Sequence, residues 1–134
     1  MSARWLLDVN VLVGLLWSVH TLHDKANSWF ARESPVVVGC ALTELIFVRV
    51  SMADRTIAAA FADAEAVLAR FISALGPRYR FVERLPPAAT LRGLAVQTHK
   101  DVSDLYLCEL AAANDAKLAT LDAGIRHPAA VVIA

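Results

Sequence analysis

The sequence is poor in features that would set it apart from an ordinary globular domain. Its 134 residues include only two cysteines, five glycines and five prolines, and aromatic residues make up 7%. No apolar run approaches the roughly 20 residues that a membrane-spanning helix needs, and the first eight residues contain no apolar stretch of signal-peptide length. We therefore expect one cytoplasmic domain, residues 1–134, with no membrane partner.

The two cysteines are Cys40 and Cys108, and each has mainly apolar neighbours. They form no CxxC pair, which is the spacing typical of zinc and redox sites. We predict that both are reduced core residues.

The charges balance, with 13 Lys and Arg against 13 Asp and Glu. Zero net charge argues against a protein that holds nucleic acid by bulk attraction, because nonspecific affinity scales with the number of phosphates neutralised. A local patch is still compatible with the sequence, since four arginines fall close together: Arg78, Arg80, Arg84 and Arg92. Such a run is most often a solvated face, although arginine also binds phosphate.

Short apolar segments alternate with longer segments of good helix formers. Strands are predicted at residues 4–7, 36–38, 79–82, 117–120 and 131–133, and helices at about 11–17, 22–33, 41–51, 54–75, 87–97 and 103–114. Strands separated by helical crossovers favour a parallel sheet. The predicted fold is an α/β/α sandwich with a short, mostly parallel central sheet, in which ligands bind at the carboxyl ends of the strands.

Four acidic residues lie in apolar sequence. Asp8 follows Trp5-Leu6-Leu7 at the end of the first strand, and Asp122 follows the strand at 117–120. Asp104 opens the last predicted helix, and Glu44 lies on a helix where Phe47 and Val48 share its face. Glu44 is therefore expected to point inward.

A cluster of buried carboxylates repels itself, so protons or a cation must compensate its charge. Arg49 is one candidate cation, whereas several carboxylate oxygens match the ligands that Mg²⁺ or Mn²⁺ prefers. Simpler explanations exist for single residues. Asp101 could be a helix cap with Asp104 in the first turn, and Asp122-Ala123-Gly124 is a common turn sequence.

Other catalytic signatures are absent from the sequence. There is no glycine-rich phosphate loop, no GxSxG motif and no cysteine placed near a histidine. His20 and His23 precede a helix, and capping or surface packing explains them better than metal ligation does. Nucleophilic catalysis by a side chain is therefore not expected.

The acidic segments, in their order and spacing, resemble a known family. They are Leu6-Leu7-Asp8-Val9-Asn10-Val11-Leu12, then Leu42-Thr43-Glu44-Leu45, then Val102-Ser103-Asp104-Leu105-Tyr106-Leu107, then Leu118-Ala119-Thr120-Leu121-Asp122. With residues 20–29 similar to the family's second helix, the match covers nearly the whole chain. The sequence resembles a PIN domain and, within that family, the VapC-type ribonuclease toxins of toxin–antitoxin pairs.

The resemblance implies a site, a cofactor and partners. It implies an acidic quartet of Asp8, Glu44, Asp104 and Asp122, with Asn10 and Thr120 as polar supports and Mg²⁺ or Mn²⁺ as the cofactor. Asp101, one helical turn before Asp104, could share or replace its role. It also implies an endoribonuclease, a hydrolase acting on RNA, that forms a homodimer and is blocked by a VapB-like antitoxin.

In the predicted reaction, carboxylates hold one or two cations that activate water for attack on the RNA phosphodiester. Asp8, Asp104 and Asp122 would be the metal ligands, and Glu44 would orient or deprotonate the water.

Other functions fit the sequence less well. A phosphatase of the dehalogenase-like type needs a second aspartate two residues after the first, where this chain has Asn10. A noncatalytic cation-binding α/β module, such as a receiver, would need an acid after a middle strand, and Val36-Val37-Val38-Gly39 ends in none. A PIN-domain RNA-processing nuclease without a toxin role is a further alternative, which composition and periodicity do not separate from a toxin.

Overall fold

A computed structural model of the chain describes residues 3–133, in which a single parallel sheet is the central element. Its strands lie in the order β3-β2-β1-β4-β5, and every neighbouring pair is parallel. The bounds are β1 (Arg4–Leu7), β2 (Val36–Cys40), β3 (Tyr79–Val82), β4 (Lys117–Thr120) and β5 (Ala130–Val132). The five predicted strands and the predicted α/β class are confirmed.

Helices cover both faces of the sheet. They are α1 (Val9–Leu16), α2 (His23–Glu33), α3 (Ala41–Ala53), α4 (Phe61–Leu75) and α5 (His99–Ala113). Side chains alternate along each strand, so Leu7 of β1 packs into a core with α1 to α4, while Leu6 packs into a second core with α5. Among residues 3–133, no helix is both long and apolar enough to cross a bilayer.

Both cysteines are buried and free, as predicted. Cys40 and Cys108 lie in the core on the α5 face of the sheet.

Two predicted helices differ from the structure. The helix predicted at residues 54–75 begins only at Phe61, because Asp54 Oδ1 accepts hydrogen bonds from the Thr56 N–H and hydroxyl at 2.8 and 2.7 Å. Such local bonds compete with helix formation. The helix predicted at 87–97 was wrong: only a 3₁₀ turn at Ala88–Leu91 forms, and Gly93 at φ +85° cannot continue a right-handed helix.

The start of α5 was also mispredicted. The helix begins at His99 rather than at Ser103, because Thr98 and Asp101 form a capping box. Thr98, not Asp101, is the N-cap, and Asp104 lies in the second turn rather than the first.

A close approach between two strands depends on a glycine. The Tyr79 ring lies over Gly39, so that a Cβ added at Gly39 would overlap the Tyr79 hydroxyl and ring. Residue 39 therefore has to be glycine for the Tyr79 side chain to take this position.

We predict that Gly39→Ala destabilises the protein by about 1–3 kcal/mol, the usual cost of overpacking a tight site. The measurement is the free energy of unfolding in urea. Gly14→Ala is the matched control, because a Cβ at Gly14 would meet its neighbours at 3.6 Å, an ordinary contact distance. Equal stability of the two variants would contradict the packing explanation.

Candidate functional site

Asp8 is a buried carboxylate at the junction of β1 and α1. Its side chain is among the buried polar groups at 7% exposure, and it is the N-cap of α1. The Val9 N–H donates to Oδ1 at 2.7 Å, and the Thr120 hydroxyl donates to Oδ2 at 2.7 Å. Burial raises the pKa of Asp8, although these hydrogen bonds oppose the increase.

Asn10 and Thr120 surround Asp8 with further hydrogen bonds. The Asn10 side-chain amide donates to Thr120 Oγ1 at 3.4 Å, and Asn10 Oδ1 accepts from the Leu121 N–H at 3.2 Å. The Asp122 N–H donates to Thr120 Oγ1 at 3.1 Å. Through these bonds α1 is fixed against the carboxyl end of β4, and the backbone of Asp122 is held next to Asp8.

Asp104 is a half-buried carboxylate on α5. Burial raises its pKa, and the negative charge of Asp8 raises it further, as does that of Asp122. Among the described residues, no hydrogen bond to the Asp104 carboxylate compensates for this. Asp104 is therefore the least satisfied acid of the group.

Asp122 lies just beyond β4 and is well compensated. The Gly124 N–H donates to Oδ1 at 2.8 Å, and the Lys100 ammonium contacts Oδ2 at 2.8 Å. These interactions, the Lys100 bond first, lower the pKa of Asp122. The structure thus brings Asp8, Asp104 and Asp122 within mutual electrostatic influence, and we call them the three-acid cluster.

Glu44, on α3, has a different set of neighbours. It is half-buried, and its Oε2 accepts a hydrogen bond from the Tyr79 hydroxyl at 2.6 Å. Burial and the Glu44 carboxylate both raise the pKa of Tyr79, so the hydroxyl remains a donor. The charge of Glu44 is not among the largest contributions to the raised pKa values of Asp8 and Asp104.

Asp101 serves the helix rather than the cluster. Its Oδ2 accepts hydrogen bonds from the Gln97 and Thr98 N–H groups at 2.9 and 3.0 Å, which lower its pKa. Its charge also raises the pKa of Asp104, though less than the charges of Asp8 and Asp122 do.

Lys100 is a cation of the site that the sequence pattern did not single out. Besides its contact with Asp122, it interacts electrostatically with Asp104 and Asp8. Its position four residues before Asp104 could have identified it, because side chains at this spacing on a helix meet. Arg49, which the sequence offered as one candidate cation, lines an apolar groove beside Leu45 and Glu44.

Other polar residues have structural roles. Arg78 donates two hydrogen bonds to the Pro35 carbonyl, at 3.2 and 3.0 Å, and stacks over Phe30. His20 Nδ1 accepts from the Leu22 N–H, and His23 Nδ1 lies 2.9 Å from the Gly14 carbonyl oxygen. The histidines therefore pack locally, as predicted.

The donor chemistry of the three-acid cluster fits a divalent cation of the Mg²⁺ or Mn²⁺ type. Such ions prefer oxygen ligands, and the cluster offers three carboxylates, two of which are disfavoured in their charged form by burial. In the described part of the chain, no group of three His, Cys, Asp or Glu side chains already converges at ligating distance. Binding would therefore require small side-chain movements, including release of Asp122 from Lys100.

Comparison with known proteins places the chain in a family, although no family model matches it. Ribonuclease VapC29 of Mycobacterium tuberculosis is 34% identical over 125 residues, which cover 91% of this chain and 88% of the relative. Ribonuclease VapC38 of the same organism is 34% identical, with 90% and 86% coverage. Ribonuclease VapC39 is 33% identical, with 92% coverage of both chains. Similarity over nearly the full length of several relatives shows that this chain belongs to the VapC ribonuclease family.

Proposed function

We propose that residues 1–134 form a single nuclease domain that hydrolyses RNA phosphodiesters with Mg²⁺ or Mn²⁺ held by Asp8, Asp104 and Asp122. One observation supports the proposal: the carboxylates that follow β1 and β4 lie close to the one on α5. Besides burial, the charge of Asp122 raises the pKa of Asp8, and the charges of Asp8 and Asp122 raise that of Asp104. Stability alone would not favour such an arrangement, because each charge is costly to bury and repels the others. The ribonuclease names of the relatives support the same conclusion.

The chain's own residues would prepare the site for the cation. Val9 and Thr120 donate to both oxygens of Asp8 and so fix the carboxylate in one orientation. Asp104 is free of competing hydrogen bonds among the described residues. When bound, a divalent ion would neutralise charge on the phosphodiester and lower the pKa of an attacking water.

Glu44 would be the fourth acid, and it would act on water rather than as a ligand of the cation. The Tyr79 hydroxyl holds one carboxylate oxygen at 2.6 Å, which restricts the orientation of the other. A carboxylate fixed in this way is suited to orienting or deprotonating the attacking water.

We also propose that the protein acts in the cytoplasm as the toxin of a VapBC-type pair, as a homodimer blocked by a VapB-like antitoxin. This part of the proposal rests on the resemblance to the VapC-type toxins. The exposed apolar side chains of Leu45, Met52 and Phe61, on α3 and α4, support contact with a protein partner.

The first prediction concerns cleavage itself. The purified chain should cleave single-stranded RNA with Mg²⁺ or Mn²⁺ and lose this activity in EDTA. Asp8→Asn and Asp122→Asn should each lower the rate by about a hundredfold or more, as expected when charge stabilisation at a reacting centre is removed. The measurement is the initial rate of cleavage of a labelled RNA.

The Asp8→Asn variant should still fold, because asparagine is an equally good N-cap and its oxygen can accept from the Val9 N–H. Circular dichroism checks this. Full cleavage by either folded variant, or cleavage that persists in EDTA, would contradict the proposal; a cation-binding protein without cleavage would favour the noncatalytic module.

The second prediction concerns Asp104 in the absence of metal. Because its pKa is raised in the folded protein, the unfolded chain loses the Asp104 proton more readily. Asp104→Asn should therefore stabilise the metal-free protein at pH 7, by less than about 1 kcal/mol, the usual upper limit for interactions of exposed charges. The gain should shrink as the pH falls through the raised folded-state pKa, and it should vanish only well below about 3.9, the unfolded-state value, where the carboxyl is protonated in both states.

Urea unfolding in EDTA at several pH values measures this difference. Asp24→Asn is the control, because Asp24 lies in the first turn of α2, where a negative charge is favourable. A loss of stability in Asp104→Asn at pH 7 would mean that Asp104 is not electrostatically strained.

The third prediction concerns the toxin role. Expression of the wild-type chain should arrest growth, whereas Asp8→Asn should not. Co-expression of a short antitoxin gene encoded immediately upstream should restore growth. Active cleavage without growth arrest, and without such a gene, would instead favour an RNA-processing nuclease.

A further inference from the structure

Lys100 occupies an electrostatically unusual place. It is the second residue of α5, and a positive charge near a helix N-terminus is unfavourable because of the helix dipole. The acids that surround it provide the compensation. Its ammonium lies 2.8 Å from Asp122 Oδ2 and also interacts with Asp104 and Asp8.

The contact between Lys100 and Asp122 is short, but it can be broken at little cost. The Lys100 side chain is 67% exposed, against 26% for Asp122, so the ammonium can leave for water with little desolvation or repacking. Its pKa is raised, chiefly by the hydrogen bond to Asp122, so it stays charged at neutral pH. Lys100 is therefore a charged and largely exposed side chain that can exchange Asp122 for water.

We propose that Lys100 is a built-in counterion that occupies the Asp122 side of the three-acid cluster and competes with the divalent cation for it. The inference rests on the proposed function. Asp122 Oδ1 already accepts from the Gly124 N–H, so Oδ2 is the oxygen that a cation would approach, and an ammonium and a divalent ion at the same oxygen repel each other. Metal binding at Oδ2 would then displace Lys100.

This role explains two features of the site together. Without metal, Lys100 compensates part of the repulsion among the acids, which helps the cluster to survive in the folded chain. With metal bound, the displaced and exposed ammonium would be free to contact the phosphates of an RNA substrate. Lys100 is thus a positioning residue rather than a ligand of the cation.

The test is the affinity of the full chain for Mn²⁺, measured by isothermal titration calorimetry at low ionic strength without RNA. Lys100→Met removes the charge and keeps most of the length, and it should bind Mn²⁺ about two- to fivefold more tightly than wild type, within the range expected for an exposed competing charge. Lys100→Arg keeps a cation and should stay within about twofold of wild type. Lys25→Met, an exposed lysine on α2, is the matched control and should bind as wild type does.

A second readout follows the amine directly. An amine-specific reagent, with mass spectrometry as the detector, should modify Lys100 faster in the presence of Mn²⁺, while the rate at Lys25 should not change. Release from Asp122 Oδ2, which lies 2.8 Å away, leaves the amine free to react. Unchanged or slower modification of Lys100 would contradict its displacement.

The outcomes separate this inference from the proposed function. Tight Mn²⁺ binding by wild type with equal or weaker binding by Lys100→Met would overturn the counterion role and leave the metal site standing. No Mn²⁺ binding by any variant would overturn both. Raising the salt concentration should reduce the advantage of Lys100→Met, because exposed charges are screened.

Discussion

The hydrogen bonds of the Asp8 carboxylate hold the centre of the molecule together. One oxygen caps α1 through the Val9 N–H, and the other accepts from Thr120 at the end of β4, 112 residues away in sequence. A single side chain thereby joins β1, α1 and β4. Because these bonds use the charged form of a buried group, the same residue supplies structural order and a source of electrostatic strain.

The topology explains why the acids meet. In a parallel sheet all carboxyl ends face one edge, and β1 lies between β2 and β4. Asp8 and Asp122 follow adjacent strands, and α5 brings Asp104 over the same edge. Glu44, which follows β2 at the start of α3, is held on the other side of β1 by Tyr79. The sheet order thus places Asp122 and Glu44 after the two strands that flank β1.

Sequence patterns predicted the strands and the acids but not how the acids are compensated. The strands were clear because short apolar runs ended at charge, proline or glycine, and Asp8, Asp104 and Asp122 stood out against apolar neighbours. Asp101 and Lys100 could not be assigned without the true start of α5, which depends on Thr98. The break at Asp54 was missed because it arises from side-chain hydrogen bonds inside an otherwise helical composition.

The Tyr79 side chain passes over β2 at Gly39, which has no side chain, and so brings its hydroxyl to Glu44. The contact between Tyr79 and Gly39 therefore sets both the packing of β3 against β2 and the orientation of the Glu44 carboxylate. A substitution at Gly39 would change the strand packing and the orientation of Glu44 together. A smaller residue in place of Tyr79, in contrast, would change the surroundings of Glu44 without forcing β2 and β3 apart.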